Sequence, residues 1–87
     1  MNVRSRVAQA LQSGKIDSYI AHQYGALPPG TDLTTASVAF LVEGVRPGLE
    51  FDGSLASIGN IYPALVTWDK LPDLVADPSL RYFEASR

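Results

Sequence analysis

Thr35-Ala36-Ser37-Val38-Ala39-Phe40-Leu41-Val42-Glu43 is the stretch on which the fold turns. Its residues are small, β-branched or aromatic, the types that suit a pleated backbone, and it contains neither Gly nor Pro. Strand alternation sends Val38, Phe40 and Val42 to one face and Ala39 and Leu41 to the other, so both faces read as apolar. A strand apolar on both faces is expected to be covered on both, and hence to lie in the interior of its sheet. Arg46-Pro47-Gly48 ends it.

Downstream, residues 54–58 and 61–68 are two further strand candidates separated by Gly59-Asn60, a pair that suits a tight type II′ hairpin turn. Pro63 has no amide hydrogen to give a ladder, so its amide position must point away from the neighbouring strand or sit at a bulge. Asp69 is placed to cap a short helix through Lys70, Leu71, Leu74 and Val75, with Pro72 tolerated in its first turn. Asp77-Pro78 stops that helix, and residues 80–85 read as a last strand.

Upstream, Val3, Val7, Ala10 and Leu11 recur at helical spacing, and Asn2 stands where a cap belongs. Ser13 and Gly14 interrupt the pattern, and Ile16, Tyr19, Ile20 and Tyr24 resume it up to Gly25, which suits a left-handed helix terminus. Residues 1–26 therefore form a helical arm, and residues 27–34, with Pro28, Pro29 and Gly30, form a stiff linker to the body at 35–87. The whole is one folded unit of α+β class: a four-stranded sheet with helices on one face.

The chain has 87 residues, 46% of them hydrophobic, and no Cys, so disulfide scaffolds and thiolate metal sites are excluded. A net charge of −2 argues against nucleic acid as the main partner. The charge is uneven: residues 1–30 carry Arg4, Arg6 and Lys15 against Asp17, and residues 31–87 carry four basic and eight acidic groups. Arm and body should therefore attract one another. No segment is long and apolar enough for a membrane span, and Gln9, Gln12, Lys15 and Asp17 break any signal-peptide core. For a chain that is not a fragment of a longer precursor, that points to the cytoplasm.

Gly59-Asn60-Ile61, Ala64-Leu65-Val66, Leu71-Pro72-Asp73-Leu74, Asp77-Pro78 and Leu80-Arg81-Tyr82-Phe83-Glu84-Ala85-Ser86-Arg87, in that order, resemble the propeptide of subtilisin-type serine proteases. The resemblance covers residues 59–87 best and extends less specifically to the strand at 37–43. It implies a ferredoxin-like fold, four antiparallel strands with two crossover helices, and a protein that binds a protease as inhibitor or folding assistant. It also implies a docking role for Glu84, whose carboxylate would cap a protease helix, and for Ala85, Ser86 and Arg87 as the tail nearest the substrate cleft.

One departure from that pattern is informative. Only residues 45–53 join the first strand to the second, too few and too rich in Pro47, Gly48 and Gly53 for a crossover helix. The arm is expected to fill the vacated face, with Val7, Leu11, Ile16 and Ile20 against Val38, Phe40 and Val42. Packed on a neighbour instead, it would make an exchanged dimer, and a self-associating module of the same fold is the alternative function.

Catalytic, cofactor and metal roles find little footing. His22 is the sole histidine and reads as an ordinary helix residue with no orienting acid or serine beside it. Asp69, Asp73 and Asp77 at four-residue spacing suggest a cation site only weakly, a cap and a polar helix face being the simpler reading. Tyr19, Tyr24, Tyr62 and Tyr82 are candidates for a binding surface, whereas Phe40, Trp68 and Phe83 read as core.

Overall fold

A computed structural model describes residues 2–86. The chain is α+β, with three helices and a three-stranded antiparallel sheet. Helix α1 (Val3–Leu11) and helix α2 (Ser18–Gly25) form the arm, and strand β1 (Ser37–Gly44), strand β2 (Ile61–Thr67), a 3₁₀ turn (Trp68–Lys70), helix α3 (Leu71–Val75) and strand β3 (Leu80–Ala85) follow.

The strand order is β2-β1-β3, so the stretch at 37–44 does occupy the middle of the sheet. Its register pairs Phe40 with Ala64 on one side and Ala85 on the other, and a bulge falls between Glu43 and Gly44 on the β3 side. The expectation that both faces are covered is corrected. Val38, Phe40 and Val42 are buried, whereas Ala39 and Glu43 are exposed and Leu41 is half-buried. Central position came from two flanking strands, not from two covering layers, and small apolar residues tolerate the open side.

Residues 54–58 do not form the expected strand. They touch β2 at two isolated antiparallel bridges, Ser54 to Ala64 and Ile58 to Ile61. The Leu55 amide donates to the Pro63 carbonyl at 2.9 Å and the Leu65 amide to the Gly53 carbonyl at 3.1 Å, and then the pairing lapses until the turn. The turn itself is the two-residue hairpin read from Gly59-Asn60, with Gly59 at φ +60°. Pro63 sits on the outer edge of β2, where no donor is wanted, and only its carbonyl is used.

The arm lies on the inner face. Asn2 caps α1 by accepting the Ser5 amide at 2.8 Å. Gly14, at φ +83°, turns the chain so that residues 15–17 run alongside β3. There the Phe83 amide donates to the Lys15 carbonyl at 2.7 Å and the Asp17 amide to the Phe83 carbonyl at 2.8 Å. Asp17 then caps α2 through the Tyr19 amide. Gly25 is not left-handed: the chain leaves α2 through Ala26 in right-handed geometry, its amide donating back to the His22 and Gln23 carbonyls. Val7 and Ile20 are fully buried in one cluster with Val38, Phe40 and Val42, and Leu11 and Ile16 pack at its margin.

Asp69 is not the cap of α3. It lies inside the 3₁₀ turn and accepts a hydrogen bond from the Thr67 hydroxyl, while α3 begins one turn later behind Lys70 with no side-chain cap. The Lys15 ammonium supports the other end of α3, donating to the Val75 carbonyl at 2.7 Å and the Asp77 carbonyl at 3.2 Å. Arg6 reaches Asp73 at 2.9 Å in an exposed ion pair, a second arm-to-body link of modest worth.

With no room for a helix, the β1-to-54 connector is held by one side chain. The Tyr62 ring is buried, and its hydroxyl donates to the Arg46 carbonyl at 2.6 Å and accepts the Leu49 amide at 2.9 Å. Phe51 meets the same ring edge-on at 5.6 Å.

Candidate protein interface

Because all helices lie on the inner face, strand alternation decides what the other face displays. Along β2 it presents Ile61, Pro63 and Leu65; along β1, Ala39, Leu41 and Glu43; along β3, Tyr82 and Glu84. The pairings fix the arrangement: Leu41 stands between Pro63 and Glu84, Glu43 between Ile61 and Tyr82, and Ala39 beside Leu65. Leu65 is 54% exposed, and Ile61 and Tyr82 are each 38% exposed, so three large apolar side chains are offered to solvent around Leu41.

The same face carries two carboxylates, Glu43 and Glu84, and no Lys, Arg or His at any outward position of the three strands between Ala39 and Glu84 other than Arg81 beside the bulge. An apolar centre with two fixed anions is what a surface needs to meet apolar side chains and a positive or helix-N-terminal counterpart. The face lacks a nucleophile paired to a base, and no group of three or more His, Cys, Asp or Glu that could hold a metal occurs among the described residues.

The residues singled out from sequence divide. Glu84 is exposed on the open face, opposite Leu41. Ala85 points inward and is buried, with its amide 3.4 Å from the Asp17 carboxylate, so its side chain is not available to a partner. Ser86 is exposed, and Arg87 lies outside the described residues. Of the tyrosines, Tyr82 is on the open face, Tyr62 is core, Tyr24 packs against Trp68 with the rings tilted and their centroids 5.4 Å apart, and Tyr19 lies 6.3 Å from His22 on α2. His22 is thus remote from the open face, and the spaced aspartates are dispersed: Asp73 on Arg6, Asp69 on Thr67, Asp77 capping the Ser79 amide.

Ile61, Leu65 and Glu43 were missed as surface residues. The signal was present in the alternation of Ile61, Pro63 and Leu65, but it was indistinguishable from a second buried face until the position of the helices was known.

Two shallow grooves lie on the helical side. The larger, of about 570 Å³, runs between α1 and α3 past Arg6, Gln9 and Ser13. Its one cation is already engaged with Asp73.

No helix among the described residues is long and apolar enough to cross a membrane. Comparisons with protein-family models, with curated proteins and with solved structures return no match.

Proposed function

We propose that this chain is a non-enzymatic protein-binding domain that lays its open sheet face on a subtilisin-type serine protease, as inhibitor or folding assistant. The observation that carries the reading is the uncovered face of β1, β2 and β3, apolar around Leu41, Ile61, Leu65 and Tyr82 and bearing the Glu43 and Glu84 carboxylates. Contiguous apolar surface of this kind on a small domain marks an interaction site. The class of partner comes from the resemblance of residues 59–87 to subtilase propeptides.

The fold supports the same reading. β1 lies between the strands at 61–67 and 80–85, and Ser54 bridges Ala64 on the far side of β2. Lengthened into a full strand, residues 54–58 would complete the strand order of a ferredoxin-like sheet, with the arm in place of the first crossover helix.

Charge argues against the open face being its own partner. Two copies stacked face to face would bring together four carboxylates, a pair of Glu43 and a pair of Glu84, against only the Arg81 beside the bulge of each copy. The partner is therefore a different protein, with apolar groups and donors or positive charge opposite Glu43 and Glu84.

The test is kinetic. Added to a subtilisin-type protease encoded in the same genome, the 87-residue chain should give slow-onset inhibition or speed the refolding of the denatured enzyme. Neither effect with that enzyme would retire the proposal.

A further inference from the structure

Two isolated bridges tie residues 54–58 to the outer edge of β2, Ser54 to Ala64 and Ile58 to Ile61. The spans between them are unequal: the three residues 55–57 face only the two residues Tyr62 and Pro63 on β2. One extra residue on the outer segment is a bulge, and it reverses the alternation of everything beyond it.

Opposed residues of an antiparallel pair share a face. Ala64 is buried on the inner face, so Ser54 turns inward with it. Leu55 then turns outward beside Pro63, to whose carbonyl its amide donates at 2.9 Å. Strict alternation from Ser54 would send Ile58 inward, and the extra residue cancels that. Ile58 lies on the outward side of Ile61, the two exchanging amide-to-carbonyl bonds at 2.9 and 3.0 Å. Exposure agrees, with Leu55 at 61% and Ile58 at 80% against a half-buried Ser54. The same bulge spoils this edge for strand pairing, so the two side chains are offered as surface.

The open face therefore has a fourth rank outside β2. One row across it runs Leu55, Pro63, Leu41, Glu84. The next runs Ile58, Ile61, Glu43, Tyr82. From Gly53 to Trp68 the sequence contains no Asp, Glu, Lys, Arg or His, so both carboxylates stand on β1 and β3, and the most exposed aliphatic side chains stand at the far edge.

We infer that the contact with the protease extends past the three strands onto this rank, with Leu55 and Ile58 as its apolar anchors. The inference rests on the docking of the open face proposed above and adds which part of the partner goes where. An apolar ridge of the protease covers Leu55, Ile58 and Leu65, and donors or positive charge lie over Glu43 and Glu84. A surface that matches both halves fits in one orientation only. A second copy of this chain matches neither arrangement: over the apolar half alone it leaves both carboxylates without a counterpart, and over the whole face it sets them against their own kind.

Isothermal titration calorimetry of the full chain against the subtilisin-type protease encoded in the same genome, inactivated at its nucleophile, tests this. Leu55→Ser and Ile58→Ser remove apolar surface without adding charge, and neither residue is in the core. Each should weaken binding about tenfold, as Leu65→Ser on β2 should. Far-UV circular dichroism and the emission of the buried Trp68 check that the variants keep the fold. Weakening in Leu65→Ser alone confines the contact to the three strands and sinks the inference while the proposed docking stands. Unchanged affinity in all three variants, or a wild-type chain that does not bind the enzyme, sinks both. Sedimentation velocity of the chain by itself tests the other occupant: a mass above 9.4 kDa that returns to that value in Leu55→Ser and Ile58→Ser gives the rank to a second copy and overturns the inference.

Discussion

Replacing Ile20 by Ala asks whether the arm is part of the core or an appendage. Ile20 is 0% exposed at the contact of α2 with the sheet, and truncating a buried Ile removes its transfer energy and leaves a cavity, together about 2–5 kcal/mol. A domain of this length holds only about 4–13 kcal/mol in total. The variant should therefore lose at least about a sixth of the stability and melt about 8–40 °C lower. Trp68, the single tryptophan, is 2% exposed and its ring lies against that of Tyr24 on α2, so its emission reports the arm directly. Urea unfolding followed by Trp68 emission and by far-UV circular dichroism should give one coincident transition, shifted to lower urea in Ile20→Ala. Leu55→Ala, at an exposed site, should move it by less than about 0.5 kcal/mol. A loss below about 0.5 kcal/mol in Ile20→Ala, or a separate arm transition that leaves Trp68 unchanged, refutes the integral arm.

Tyr62→Phe should cost about 1–2 kcal/mol in urea unfolding, because it strips the connector of its bonds to Arg46 and Leu49 while the ring stays packed. Gly53→Ala should cost about 2 kcal/mol or more: Gly53 is at φ +83°, and a Cβ there would fall inside contact distance of the Val66 side chain and the Leu65 carbonyl. Asp32, whose carboxylate accepts from the Thr34 hydroxyl and then the Thr34 amide, titrates below its ordinary 3.8. A lowered folded pKa means the turn's contribution is whole above pH 3.8 and fades as the pH falls through the folded value. Carbon-detected titration of Asp32 should show the lowered midpoint, and Thr34→Val, which removes the hydroxyl but keeps the amide, should return it only part of the way.

Much of this architecture is legible in the residues because local chemistry sets it. Asn2, Gly14, the Gly59-Asn60 turn and Pro63 each act within a few residues of themselves, and the structure uses each as a cap, a turn or an edge position. Tertiary facts were not legible. The alternation of Ala39 and Leu41 says that two faces are apolar but cannot say which elements cover them, so an exposed face was taken for a covered one. Residues 54–58 have strand-forming composition, yet β-propensity is realised only with a full-length partner edge, and the turn at Phe51 to Ser54 shortens it. Asp69 had the right type for a cap, but its carboxylate found the Thr67 hydroxyl first. Of the tail residues named from the resemblance, Ala85 is buried because it falls on the inner face of β3, opposite Phe40.

Amide chemical-shift mapping reads out whether the open face is the docking surface. Adding a subtilisin-type protease, inactivated at its nucleophile, to isotopically labelled chain should shift or broaden the signals of Ala39, Leu41, Glu43, Ile61, Leu65, Tyr82 and Glu84. Those of Val7, Ala10 and Ile20 on the helical side should stay in place. Perturbations confined to α1, α2 and α3, with the face from Ala39 to Glu84 silent, would contradict it.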